Sequence, residues 1–82
     1  MTNNNVRVKS NLKSILDERG VSIRKLANET GLKFETVRRL YNDQTKQYQR
    51  DSIGAICVYL SIEVGDLLTL TDEGEYEEEK RQ

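Results

Sequence analysis

The sequence predicts an all-α domain of five short helices. Its apolar residues recur at three- and four-residue spacing, which is typical of helices that bury one side, and the 82 residues include no proline. Only five residues are aromatic and none is tryptophan, a composition that also favours a helical bundle. A chain of this length forms one domain and buries roughly 60 to 65% of its unfolded surface, so its core is small.

The first helix is expected to follow Ser10, whose side chain can accept a hydrogen bond from the first turn. Leu12, Ile15 and Leu16 stand at i, i+3 and i+4 and form one apolar side. Gly20 ends the helix, because glycine adopts the left-handed backbone conformation of a C-cap without steric cost. We expect this helix to serve as scaffold.

The segment from Ile23 to Asn42 carries the pattern Ile-x-x-Leu-Ala-x-x-x-Gly-Leu-x-x-x-x-Val-x-x-Leu, which two short helices joined by a tight turn require. Gly31 can supply the left-handed residue of the turn. Ala27, four residues earlier, is small enough to let the two helices approach each other. Both helices direct apolar side chains to a common core: Leu26, Leu32, Val37 and Leu40.

Helices two and three are expected over residues 23–30 and about 33–42. Ser22 is a good N-cap for the second helix, and the glycine of the turn closes it. The polar segment 43–50 has no apolar periodicity and is expected to form a loop.

A fourth helix is expected after Asp51 or Ser52, either of which can cap it. Its buried side is formed by residues at i, i+3, i+4 and i+7: Ile53, Ile56, Cys57 and Leu60. Gly54 weakens this helix by roughly 1 kcal/mol relative to alanine. A brief fifth helix that covers the bottom of the core is indicated by four apolar residues: Ile62, Val64, Leu67 and Leu68.

These patterns divide the chain into a flexible N-terminal arm (1–9), the helical domain (10–70) and an acidic tail (71–82). The tail holds six acidic and two basic residues and no aliphatic one, so it cannot offset its ordering entropy and is expected to be disordered. The longest apolar run, residues 53–60, is far shorter than the roughly 20 residues that span a bilayer. The N-terminus has no hydrophobic signal region. We therefore expect a soluble cytoplasmic protein without membrane contact.

The composition argues against an enzyme and against a cofactor. The chain has no histidine, which removes the commonest general base and metal ligand. Cys57 is the only cysteine, so neither an intramolecular disulfide nor a cysteine metal cluster can form. Its place on the apolar side of a helix favours buried packing over redox chemistry.

The formal net charge of −1 conceals a division along the chain. Residues 1–50 hold eleven basic and five acidic residues, a net charge of +6, whereas residues 51–82 hold two and nine, a net charge of −7. The basic half contains the two-helix pattern. Because the field that steers a polyanion is local, a near-neutral total is compatible with a positive surface suited to phosphates.

Three features together resemble a known family. They are the turn with Ala27 and Gly31, the end of the third helix at residues 40–42 (Leu-Tyr-Asn), and the closing residues 65–68 (Gly-Asp-Leu-Leu). In register, these resemble the Cro/C1-type, XRE-like helix-turn-helix domains of phage and bacterial transcription regulators. The resemblance covers residues 10–70 and implies the five-helix fold of Cro/C1 repressor-like DNA-binding domains.

The resemblance further implies that the third helix lies in the major groove, where each base pair presents a distinct pattern of donors and acceptors. The side chains nearest the base edges would then be Phe34, Glu35, Thr36, Arg38 and Arg39. Arg39 is the best candidate base reader, since a guanidinium can donate two hydrogen bonds to guanine. Glu35 could accept from the cytosine amino group, and Phe34 could pack on a thymine methyl group.

Simpler interpretations of these side chains stay open. Arg38 and Arg39 could form a solvated helix face, and Glu35 could serve mainly as an ion-pair partner of Arg39 at i+4. Phe34 could pack into the protein instead of contacting a base. Tyr41, at the end of the third helix, is expected to be a partly buried wall.

Phosphate contacts are expected from six residues that flank the third helix in sequence: Ser22, Arg24, Lys25, Lys33, Lys46 and Arg50. Such contacts orient the protein without reading the base sequence. Arg24 stands where the family often has glutamine, which keeps a cation available but changes the usual backbone contact. Tyr48, in the following loop, could touch DNA or simply be exposed.

One recognition helix covers only a few base pairs, so a homodimer on half-sites roughly 34 Å apart is expected. The family pairs through a surface near its fourth and fifth helices. Candidates here are Val58, Tyr59 and Val64, which are apolar and cannot all face the core. Ordinary core packing is the alternative for each of them.

The leading hypothesis is thus a sequence-specific regulator that binds double-stranded DNA, most simply a phage or bacterial repressor that acts at the nucleoid. The alternative is a protein-interaction module, such as an antitoxin or adaptor, whose acidic tail docks on a basic protein partner. The acidic run 75–79 suggests this alternative. An enzyme is the third and weakest class, because a domain of this size offers little concavity for a catalytic pocket.

Overall fold

The computed structural model describes residues 6–72 and contains the five helices that the sequence predicts. In chain order the elements are β1 (Val6–Ser10), α1 (Leu12–Arg19), α2 (Ile23–Thr30), α3 (Phe34–Tyr41), α4 (Arg50–Leu60), α5 (Val64–Leu67) and β2 (Leu68–Asp72). Among these described helices none is long and apolar enough to cross a membrane.

A small two-stranded sheet corrects the all-α prediction. Strands β1 and β2 pair antiparallel, with Val6 opposite Asp72 and Ser10 opposite Leu68. Residues 6–9, expected in a flexible arm, therefore lie in a strand, as do residues 71–72 of the expected tail. Both segments alternate apolar and polar side chains, Val-Arg-Val-Lys and Leu-Thr-Leu-Thr, which is the period of a strand. The acidic run of the tail lies outside the described residues.

The core lies between the helices and, among residues 6–72, consists of eleven buried apolar side chains. They are Leu12, Leu16, Leu26, Ala27, Val37, Leu40, Ile53, Ile56, Cys57, Leu60 and Leu67. Leu32, Tyr41 and Tyr59 are partly buried and pack against this cluster. The apolar periodicity thus identified the buried side of α1 to α4, whereas in α5 Leu67 is buried and Val64 is exposed.

The helix ends test the predicted caps. Ser22 accepts the backbone N–H of Lys25 at 3.0 Å, as predicted, and Gly20 and Gly31 end their helices with φ values of +68° and +78°. The N-cap of α1 is Asn11, and Ser10 instead accepts the N–H of Leu12 with its hydroxyl at 3.2 Å.

Helix α4 begins earlier than predicted. Arg50 is its first residue and Gln49 its N-cap, so Asp51 lies within the first turn. No side chain bonds the cap of α4, and Asp51 in the first turn instead offers a negative charge to the positive end of the helix dipole. Its C-cap, Ser61, adopts the left-handed conformation with φ of +58°.

The closing segment is short but well fixed. Glu63 and Asp66 form a reciprocal capping box at α5, in which the Glu63 N–H donates to Asp66 Oδ2 at 2.9 Å. Leu67 is fully buried, and its carbonyl accepts the N–H of Asn11 at 2.8 Å. This contact joins the end of α5 to the start of α1, where the two strands also meet.

Candidate nucleic-acid interface

The turn between α2 and α3 fixes the orientation of α3 relative to α2. Gly31 donates its N–H to the Ala27 carbonyl at 2.9 Å, and the Thr30 hydroxyl donates to the Leu26 carbonyl at 2.7 Å. Ala27 is only 4% exposed, as expected where two helices approach closely. The geometry is that of a helix-turn-helix.

Helix α3 has one buried and one outward side. Val37 and Leu40 are buried, whereas Phe34, Glu35 and Arg39 are exposed. Arg38 and Thr36 are half-buried. The structure therefore places all five predicted base-contacting side chains on one helix, with three of them fully at the surface.

The C-terminal end of α3 is anchored to α1 by a small polar cluster. The Tyr41 hydroxyl donates to Asp17 Oδ1 at 2.7 Å, and Lys13 Nζ lies 3.1 Å from Asp17 Oδ2 and 5.0 Å from the Tyr41 ring centre. The hydrogen bond from Tyr41, followed by that from Lys13, lowers the pKa of the Asp17 carboxyl group. Tyr41 is half-buried and forms the wall that the sequence predicted.

Three charged residues of α3 form an intrahelical cluster, which we call the Glu35 cluster (Glu35, Arg38, Arg39). Arg38 donates from Nε to Glu35 Oε1 at 3.0 Å and from Nη2 to Oε2, a two-bond contact. Arg39 Nε lies 3.4 Å from the same Oε2. The hydrogen bonds from Arg38 are the main cause of a lowered pKa of Glu35 and a raised pKa of Arg38.

Phe34 does not pack into the core, which excludes one interpretation of this residue. Its side chain is 39% exposed, and the Arg24 guanidinium lies 4.9 Å from the ring centre. A cation over an aromatic face is attracted by the ring quadrupole. The contact joins the first turn of α2 to the first turn of α3, the two helix starts nearest the predicted DNA surface.

A groove of about 220 Å³ runs along α3 between the 43–49 loop and the start of α4. Thr36 and Arg39 line one side, and Thr45, Gln47 and Tyr48 line the other. Tyr48 is half-buried, and burial is the first cause of its raised pKa. Thr45 and Gln47 were not predicted as site residues; only the polar character of the loop could have indicated them.

The predicted phosphate-contacting residues occupy the starts of three helices and one loop. Ser22, Arg24 and Lys25 lie at the N-terminus of α2, and Lys33 is the N-cap of α3. Lys46 lies in the loop and Arg50 begins α4. All six are exposed. Helix N-termini add their own partial positive charge, which favours phosphate groups.

The fold and this surface define a helix-turn-helix DNA-binding domain. The chain belongs to the Cro/C1-type HTH DNA-binding domain family, whose model matches residues 11–73. The predicted family is therefore confirmed, and membership indicates a DNA-binding protein rather than an enzyme.

Two solved structures share the fold. A candidate DNA-binding protein from Bacteroides fragilis superposes with a TM-score of 0.67 at 21% identity, over 77% of this chain and 100% of that one. The transcriptional regulator VanUg superposes with a TM-score of 0.69 at 24% identity, over 89% of this chain and 96% of that one. No curated protein gives a match.

Proposed function

We propose that the protein is a sequence-specific transcription regulator, most simply a repressor that blocks polymerase, and that α3 enters the major groove of double-stranded DNA. The observation that carries this proposal is the outward side of α3. On the opposite side of α3, Val37 and Leu40 are buried in the core, and Tyr41 donates a hydrogen bond to Asp17 of α1. A helix that is fixed on one side can present its other side to base edges with little loss of conformational entropy.

Arg39 is the principal base reader in this proposal. Its side chain is 61% exposed, and its one contact to a carboxylate is long, at 3.4 Å. The guanidinium can therefore donate two hydrogen bonds to O6 and N7 of guanine. Thr36 and Phe34 complete the surface that faces the bases. The loop across the groove from Arg39 lies beside this surface and can contact the DNA backbone.

The six exposed residues at three helix starts and in the loop before α4 supply the phosphate contacts. Each phosphate that a cation neutralises releases counterions, so affinity should fall steeply as salt concentration rises. Four of these residues belong to α2 and α3 or their caps, and they flank the recognition helix: Ser22, Arg24, Lys25 and Lys33. The repressor would act at the nucleoid in the cytoplasm.

The test combines selection of bound duplexes from a random library with three variants of the full chain. Arg39→Ala should weaken binding to the selected duplex by about tenfold or more, because a bidentate contact to guanine is lost. Arg39→Lys keeps the charge but not the planar pair of donors, so it should lose base preference while retaining much of the salt-dependent affinity. Lys9→Ala, in β1, is the matched control. Unchanged binding by Arg39→Ala would remove α3 from base readout.

We propose further that two copies pair through the outward side of α4. Val58 is 79% exposed there, beside a shallow groove of about 610 Å³ whose floor includes Gly54 and Ala55. A methyl group at Gly54 would meet no atom of the described residues within 4 Å, so their packing does not require glycine at this helical position. Under two-fold symmetry each Val58 can enter the groove of the other copy, a self-complementary contact.

Sedimentation of variants tests this pairing separately from DNA binding. Val58→Glu should yield monomers without loss of thermal stability, because the side chain is exposed within one copy. Gly54→Ala should stabilise the helix by about 1 kcal/mol and yet weaken pairing, since it fills the groove. Val64, 52% exposed on α5, provides the comparison surface. If only Val64→Glu breaks the dimer, pairing occurs through α5 instead.

A further inference from the structure

The two adjacent arginines of α3 are not equivalent in their contacts. Arg38 reaches back one turn and binds both carboxylate oxygens of Glu35, whereas Arg39 touches one oxygen at 3.4 Å. Their side-chain exposures follow the same order, 38% for Arg38 and 61% for Arg39. The Nε–Nη2 edge of Arg38, which could otherwise bind a base bidentately, is thus occupied by Glu35, whereas Arg39 makes one longer contact to the same carboxylate.

The ion pair between Glu35 and Arg38 contributes more favourable free energy at a DNA surface than in the free protein. An exposed salt bridge contributes little in water, because solvent screens both charges. A carboxylate in the major groove, however, stands among phosphates and loses much of its hydration, so it is unfavourable unless a cation neutralises it. Arg38 is the residue whose two donors already face Glu35.

We propose that Glu35 and Arg38 act on DNA as one neutral pair, in which Arg38 compensates the Glu35 carboxylate and Glu35 prevents Arg38 from competing for base edges. This rests on the proposed DNA-binding function. Glu35 is then a positioning residue that determines which arginine reads the sequence. Of the three charges in the Glu35 cluster, a single guanidinium, that of Arg39, remains for guanine.

The pair predicts an energetic coupling that direct base contacts would not produce. If Arg38 mainly neutralises Glu35, removing Arg38 should be harmful only while the carboxylate is present. If Arg38 contacts DNA itself, its removal should cost the same whether residue 35 is charged or not. A double-mutant cycle measures this difference.

The experiment uses the full chain, the duplex most enriched from a random library and a scrambled duplex of equal length. The variants are Arg38→Met, Glu35→Gln and the double variant, with Arg39→Met as comparator. We expect Arg38→Met to weaken binding to the selected duplex by about tenfold, and the double variant to recover to within about threefold of wild type. Arg39→Met should lose about tenfold or more in either background.

Glu35→Gln alone frees Arg38 without changing side-chain size. Binding to the scrambled duplex should then strengthen, and the slope of log K against log salt should steepen by about one, as one more cation meets phosphate. The ratio of the affinities for the selected and the scrambled duplex should decrease at the same time. A merely structural role of Glu35 would alter thermal stability but would change neither the salt slope nor the coupling.

The outcomes separate this inference from the function on which it rests. Equal losses from Arg38→Met in both backgrounds overturn the neutral pair while leaving DNA readout by α3 intact. If instead wild type does not distinguish the two duplexes, or Arg39→Met changes nothing, the proposed function itself fails. Circular dichroism of each variant verifies that α3 remains folded.

Discussion

Arg7 in β1 and Asp43, one residue beyond the C-cap of α3, form an ion pair with 2.7 Å between Nη2 and Oδ2. The other carboxylate oxygen of Asp43 accepts the N–H of Ser10 at 3.0 Å. Asp43 adopts the left-handed conformation, with φ of +58°, which aspartate tolerates better than most residues. One side chain therefore joins the sheet to the end of α3.

Asp43→Ala should lower the free energy of unfolding by about 2 kcal/mol, because it removes two charge-assisted contacts and places a Cβ-bearing residue without a polar side chain in a left-handed conformation. Asp43→Gly separates these causes: it loses the same contacts but fits the backbone, so its loss should be smaller by about 1 kcal/mol. Urea unfolding of both variants measures the difference. Equal losses would mean that the backbone conformation contributes nothing.

Gly31→Ala tests the turn of the helix-turn-helix. An added Cβ would meet no atom within 4 Å, so the expected cost comes from the backbone alone, at φ of +78°. That cost is about 1–2 kcal/mol for an L-residue in the left-handed region. Gly65→Ala, a helical position with equal space, is the control and should be neutral or slightly stabilising. Calorimetry in which Gly31→Ala matches this control would contradict the argument.

The contact between Asp17 and Tyr41 predicts a dependence of stability on pH. The pKa of Asp17 is lowered in the folded state, so its contribution is complete above the unfolded pKa and is lost as pH falls through the folded one. Unfolding free energy should therefore decline between about pH 5 and pH 2, and less steeply in Asp17→Asn and Tyr41→Phe. Ser14→Ala, at an exposed and non-ionisable position on the same helix, is the control and should leave the slope unchanged.

Cys57 should react slowly with thiol reagents in the folded protein. Its side chain is buried in the core, and burial, followed by the charges of Glu63 and Asp66, raises the pKa of the thiol. Because the thiolate is the reactive form, modification requires both ionisation and local opening. Ser14→Cys in a Cys57→Ala background supplies an exposed thiol on α1 for comparison. Similar labelling rates at the two positions would show that Cys57 is accessible.

The sequence was most informative where one residue determines local geometry. The hydroxyl of Ser22 caps the start of α2, and Gly20 and Gly31 end α1 and α2 because glycine accepts the left-handed conformation. All three residues have the capping roles that the sequence predicted. Apolar spacing likewise identified the core, because burial of one helix side is a local property of the chain. The predicted start of α4 was wrong by two or three residues, since the N-cap, Gln49, makes no side-chain hydrogen bond that the sequence could indicate.

The sheet was not predicted because its two strands, β1 and β2, are distant in sequence. Each strand alternates correctly, but a lone alternating segment of five residues pairs only if another segment lies beside it. Ser10 and Leu68 are paired although all five helices lie between the two strands in the sequence. At the interface, the sequence placed the residues on α3 but suggested Arg39 as the partner of Glu35; the i+3 neighbour Arg38 makes the closer contact.

The pairing of Val6 with Asp72 has a practical consequence for engineering. The two ends of the described part of the chain therefore lie side by side, the arrangement that permits domain insertion and circular permutation. A host protein could carry this unit within a surface loop, and two units could be joined head to tail as a single-chain pair. Such a fusion would place two copies of α3 on one polypeptide and fix their number independently of concentration.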